Sequence, residues 1–68
     1  MKTIDGYLSG FAQSFWPDAI VYIELASGPG GPMFFYVERK NEEPIGLGPT
    51  FKHAKLAIQA LKRREESK

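Results

Sequence analysis

Apolar residues recur at helical spacing over the first fifteen positions, alternate through the middle of the chain, and return to helical spacing near its end. Ile4, Tyr7, Leu8, Phe11 and Phe15 fall on one side of a helix predicted over residues 3–15, with Gly6, Ser9, Gly10 and Gln13 opposite. Two glycines inside a helix cost about 1 kcal/mol each relative to alanine, so this helix depends on tertiary packing. Gly6 and Gly10 are either tolerated on an exposed flank or form a flat face that another backbone approaches. Trp16-Pro17-Asp18 ends the helix, because proline disfavours helical geometry in the residue before it.

The period then changes to two. Residues 19–26 read as a strand with Val21, Ile23 and Leu25 on one face and Ile20, Tyr22 and Glu24 on the other. Residues 27–32, nearly all glycine or proline, form a turn. Residues 33–40 give a second strand, Asn41-Glu42-Glu43 a polar hairpin turn, and residues 44–47 a third strand that Pro44 confines to an edge. Thr50 is a good N-cap for a helix from Phe51 to about Glu66. Ala54, Ala57, Ile58 and Leu61 make its buried stripe, with Phe51 at the margin. Lys52, Lys55, Gln59, Lys62 and Arg63 gather beside that stripe as a basic ridge suited to phosphate. Residues 64–68, of mixed sign, read as a fraying end. The expected fold class is α+β: one domain over residues 1–68, helix, three-stranded antiparallel sheet, helix (α-β-β-β-α), both helices on one sheet face.

Met33-Phe34-Phe35-Tyr36-Val37 is apolar on both alternations, so a sheet covered on one side exposes aromatics on the other. Trp16 and the Gly/Pro loop cover that face, or a partner does. Tyr22, Phe34, Phe35 and Tyr36 are the candidate partner-binding residues, for a second copy in a homodimer or a heterologous protein, with stacked bases as a further occupant.

Composition narrows the chemistry. With 68 residues the domain has no room for a buried enzyme cleft, and its small core makes self-association a live expectation. No cysteine is present, which removes disulfides, thiolate nucleophiles and zinc sites of the cysteine type and favours a reducing, cytoplasmic setting. No segment approaches the roughly 20 apolar residues of a membrane span, so a soluble protein without membrane partners is expected. The net charge of +1 makes any basic surface local. His53, the sole histidine, has no nucleophile motif beside it, and Glu42 and Glu43 lack further ligand spacing. Gly28 to Gly31 lacks the lysine and following helix of a phosphate loop. We therefore expect no catalytic residue, metal, cofactor or small-molecule substrate.

The element order, Phe11-Ala12-Gln13 in the first helix, Ser27-Gly28-Pro29 before a proline and Phe34, and Gly46 to Gly48 leading into Thr50-Phe51-Lys52-His53-Ala54-Lys55 together resemble the double-stranded RNA-binding domain over almost the whole chain. The resemblance implies shape-selective binding of double-stranded RNA across two minor grooves and the major groove between them. It implies contacts from the first helix, where Gln13 corresponds, and from a Lys-Lys-x-Ala-Lys run, whose second and third lysines correspond to Lys52 and Lys55. Gly10 stands where that helix usually offers a longer polar side chain, the loop has no histidine, and Phe51 replaces the first lysine. The alanine spacing of the last helix also departs from the family's.

Two functions follow. One is a nucleic-acid-binding domain that prefers duplex RNA, with Gln13, Lys52, Lys55, Gln59, Lys62 and Arg63 as its contacts. The other is a protein-interaction module, a small inhibitor or adaptor of a larger nucleic-acid machine of the kind that mobile elements or phages encode, acting through the sheet aromatics or as a homodimer.

Overall fold

Asp5 divides the N-terminal apolar repeat into two elements. Its backbone is extended and its carboxylate accepts the Leu8 N–H at 2.8 Å, which caps a helix starting at Gly6 and leaves the preceding residues free to pair as a strand. The computed structural model describes residues 2–25 and 33–67. In it β1 (Lys2–Ile4) precedes α1 (Gly6–Gln13), followed by β2 (Ile20–Leu25), β3 (Met33–Glu38), β4 (Ile45–Gly48) and α2 (Phe51–Glu66). The sheet has four antiparallel strands in the order β1-β2-β3-β4, one more than the sequence predicts. Ile4, assigned by its spacing to the helix, pairs instead with Tyr22 on β1 and is 65% exposed. Its four-residue separation from Leu8 fits a helix by coincidence, and the Asp5 cap decides the boundary.

Val21 pairs with Val37, Tyr22 with Tyr36 and Ile23 with Phe35, so the two alternations of β2 and β3 lie on opposite faces. Val21, Phe35, Val37 and Leu47 join Leu8, Ala12, Ala19, Ala54 and Ile58 in one core, with Ala57 and Leu61 packed against it. The α2 stripe is therefore the predicted one. On α1 the buried face is rotated to Leu8, Ser9 and Ala12, while Tyr7 stays exposed. The Ser9 hydroxyl causes this rotation, accepting the Val21 N–H at 2.8 Å and donating to the Val21 carbonyl at 3.1 Å. Those backbone groups lie just past the end of β1, and without Ser9 the N–H would be buried and unpaired. A Cβ added at Gly6 or Gly10 meets nothing within 4 Å, so among the described residues these glycines occupy an open flank on which no backbone closes.

Each end of α2 is anchored. At its start, β4 carries an extra residue: Tyr36 pairs with Gly46 and Phe35 with Gly48, which turns the intervening Leu47 into the core. Gly48 has φ +132°, and a Cβ there would lie 2.7 Å from the His53 Cβ. Thr50 caps the helix by accepting the His53 N–H at 3.1 Å. At the far end, the Glu65 carboxylate accepts from Arg39 Nη1 at 2.7 Å and from Trp16 Nε1 at 3.0 Å. Arg39 also donates to Glu42 at 2.7 Å and lies 4.9 Å over the Trp16 ring, with its side chain only 11% exposed. The predicted fray thus begins too early, because Glu65 is held. Trp16 packs against the core and this cluster, so it does not cover the opposite sheet face, and the Gly/Pro loop lies outside the described residues. Among the described residues no helix is long and apolar enough to cross a membrane.

Ser9→Ala leaves the Val21 N–H without its partner and should lower unfolding free energy by about 1–3 kcal/mol in urea. Gly48→Ala should cost a similar amount, about 1–3 kcal/mol, from the forced backbone conformation. An unchanged urea midpoint for either variant would refute the role given to that residue.

Candidate functional site

The rotation of α1 turns Tyr7, Phe11 and Phe15 toward α2. Lys55 reaches across, its Nζ 5.9 Å from the Tyr7 ring and 5.6 Å from the Phe11 ring. Lys62 stands 4.7 Å over Phe15 and 3.3 Å from the Glu66 carboxylate. Both lysines thus hold their ammonium groups over aromatic rings. Lys52 and Arg63 are exposed and Gln59 is half-buried on the same side of α2. Residues 51–64 contain Lys52, Lys55, Lys62, Arg63 and Arg64 with no acidic residue, and α1 has no charged side chain. Glu24 and Glu38 lie on the sheet and Asp18, Glu42 and Glu43 around the β3–β4 hairpin, while Asp5 caps α1 and Glu65 and Glu66 stand in the last turn of α2. The helix pair therefore carries a locally positive seam on a chain of net charge +1.

Gln13 is not part of that seam. It projects from α1 about half a turn away from Phe11, and its amide donates to the Ala19 carbonyl at 3.1 Å. The structure thus brings together Lys52, Lys55, Gln59, Lys62 and Arg63 and leaves Gln13 on the opposite flank.

The other candidate surface is the sheet face turned away from the core. Tyr22 is only 5% exposed, stacked on Tyr36 with ring centroids 5.5 Å apart and planes at 20°, so it is not the open partner-binding aromatic the sequence predicts, and Phe34 packs on Tyr36 at 5.4 Å. Phe34 lies across Gly46, where an added Cβ would come within 3.0 Å of its ring, so the glycine seats the aromatic. Lys2 crosses Tyr22 at 4.6 Å and approaches Glu38 at 3.9 Å. Together with Ile4 and Ile20 these residues line a shallow cavity of about 230 Å³. Among the described residues no helix covers this face. Phe35 does not belong to it: at 3% exposure it is a core residue, because the register places it beside Val37 on the helix-covered face. Both alternations are apolar in sequence, so only the cross-strand register separates Phe35 from Phe34 and Tyr36.

His53 and Glu42 are engaged within the fold. His53 Nδ1 lies 2.9 Å from the Thr50 hydroxyl in the cap of α2, and Glu42 is paired with Arg39. No group of three or more metal-ligating side chains is found among the described residues. Gly28 to Gly31 lies outside them. Sequence reasoning missed the exposed Tyr7 and the Trp16–Arg39–Glu65 cluster. Asp5, read as a cap, would have exposed Tyr7; the cluster joins residues 26 and 49 positions apart and leaves no local signal.

Compared with protein-family models, curated proteins and solved structures, the chain has no match. The likeness to the double-stranded RNA-binding domain therefore rests on the residues that carry it.

Burial, and after it the charges of Glu24 and Glu38 and the neighbouring Tyr36, push the Tyr22 phenol above its ordinary value of 10.0. The folded state then holds this proton more tightly than the unfolded state. Its contribution is complete below pH 10.0 and is lost as the pH rises through the raised folded value. Stability should decline in that alkaline window, and Tyr22→Phe should reduce the decline. Urea unfolding at pH 8 to about pH 11 checks this; an identical slope in both proteins would contradict it.

Proposed function

We propose that the chain is a non-catalytic binding domain that engages duplex RNA through the α1–α2 seam. The observation that carries this reading is the segregation of charge: Lys52, Lys55, Lys62 and Arg63 stand on one side of α2, against an uncharged α1, and residues 51–64 contain no acidic side chain, Glu66 pairing with Lys62 only at the end of the ridge. Phosphate contacts dominate duplex affinity, so a local cluster of this kind serves even where the net charge is small. The ridge from Lys52 to Arg63 spans eleven helical steps, about 16 Å, enough to follow several phosphates along one groove edge. Gln59 lies within the ridge, whereas Gln13 is peripheral because its amide is engaged by the Ala19 carbonyl.

Fluorescence anisotropy with an RNA duplex of about 20 base pairs, longer than the roughly 16 base pairs such domains span, tests the reading against a DNA duplex of equal length. With four cations engaged, log K should fall with log salt at a slope of about −3 to −4. Lys52→Ala combined with Lys55→Ala should weaken binding about tenfold or more and flatten that slope. Equal affinity in the parent and the double variant would overturn it.

The open sheet face favours a second reading, association of two copies. That face carries Lys2 beside Glu24 and Glu38 around an apolar centre of Ile4, Ile20, Phe34 and Tyr36, a pattern that complements itself under a two-fold rotation. Light scattering after size separation should give a dimer mass that Phe34→Glu converts to monomer. A monomer mass for the parent across the concentration range would remove this reading.

A further inference from the structure

Two aromatic rings in the seam are not accounted for by packing. Tyr7, the second residue of α1, is 63% exposed, and Phe51, the first residue of α2, is 43% exposed. Neither belongs to the core or to the partly buried residues packed against it. Their rings meet at 5.4 Å between centroids with planes at 47°, so the two helices present one joint aromatic surface at the same edge of the molecule. Lys55 stands 5.9 Å from the Tyr7 ring and the exposed Lys52 follows Phe51 directly. The adjacent acid, Asp5, is engaged with the Leu8 N–H in the cap of α1.

Aromatic rings beside lysines suit a nucleotide whose base has a free face and whose phosphate lies nearby. Within an A-form duplex every base face is covered by its neighbours and only edges and backbone are accessible. A ring can stack on a base only at an end, a loop or a bulge. The lysine ridge, in contrast, extends along α2 for several phosphates beyond the rings.

Resting on the RNA-binding reading above, we propose that Tyr7 and Phe51 form a stacking platform for an unpaired base, so that the ligand is an RNA duplex carrying a single-stranded end or loop. Lys52 and Lys55 hold the phosphates that flank the unstacked nucleotide, and Lys62 and Arg63 follow the adjoining duplex.

Anisotropy titrations with a blunt RNA duplex, the same duplex with a short single-stranded overhang, and a hairpin with the same stem test this. The parent should bind the overhang and hairpin about tenfold more tightly than the blunt duplex. Tyr7→Leu with Phe51→Leu keeps apolar volume but removes both rings; it should abolish that preference, so that the variant binds the three RNAs alike. Tyr7→Phe, which retains the ring, should keep the preference, and far-ultraviolet circular dichroism establishes that each variant is folded. Equal affinity of the parent for blunt and overhanging RNA overturns the platform but leaves the duplex reading standing. So does an equal loss by the leucine variant on all three RNAs. Binding to none of them overturns the RNA-binding reading and the platform with it. A leucine variant whose mass on light scattering differs from the parent's identifies the rings as a contact between copies and also overturns the assignment.

Discussion

Val21 presents its backbone N–H and carbonyl at the point where β1 ends, and the way these groups are satisfied determines how the helices sit. Ser9 bonds both, and the Asp5 N–H adds a bond of 2.9 Å to the carbonyl. A buried peptide group left unpaired would cost about 1–3 kcal/mol, a large fraction of the stability available to so small a core. Fixing Ser9 against the sheet rotates α1 so that Leu8 and Ala12 enter the core and Tyr7, Phe11 and Phe15 turn toward α2. The aromatic flank of the seam is thus a consequence of one hydroxyl satisfying the backbone beyond a three-residue strand.

The position of α2 is set independently at its two ends. The β4 bulge and the glycine φ at Gly48 aim the chain into the Thr50 cap. The Glu65 carboxylate then draws the last turn onto Arg39 and Trp16. This second anchor is electrostatically consequential. It gathers Asp18, Glu42 and Glu65 around Arg39 and Lys40, at the hairpin end of the domain. The long helix joins a mixed, largely self-neutralised pole to a basic stretch with no acidic residue before Glu65. Local charge separation is how a nearly neutral chain can present a phosphate-compatible surface.

Much of this arrangement was legible in the chain. The alternation of Val21, Ile23 and Leu25 against Ile20, Tyr22 and Glu24, the α2 stripe of Ala54, Ala57, Ile58 and Leu61, and the Thr50 cap follow from periodicity and capping chemistry alone. β1 was not legible, because Ile4 lies four residues before Leu8 and a three-residue strand is too short to display its own period. Phe35 was ambiguous for a different reason: two apolar alternations leave the choice of face to the partner strand. The rotation of α1 required knowing that Ser9 would meet Val21, twelve residues away. The Arg39–Glu65 pair, 26 residues apart, was invisible for the same reason. The basic ridge of α2 was therefore legible as a ridge, while the aromatic flank beside it and the position of Gln13 came only from the fold.

The placement of Lys55 and Lys62 over rings raises the question of whether those cations are sequestered or presented. An exposed cation–π contact is worth about 0.5–1 kcal/mol, and a surface ion pair such as Lys62 with Glu66 about 0–1 kcal/mol. Either is comparable to what a single phosphate contact offers, so neither lysine is locked away from a polyanion. The rings instead restrict the rotamers that a free lysine would have to give up on binding, an entropy of as much as about 2 kcal/mol for a long side chain. A cation already held at the rim of an aromatic surface loses less of that freedom when a phosphate arrives. Since lysine keeps its charge at the end of a flexible stem, a shift of a few ångströms transfers it from ring to phosphate without disturbing the core beneath. In the RNA-binding function proposed above, the aromatic flank that Ser9 imposes on α1 would therefore preorganise the basic ridge.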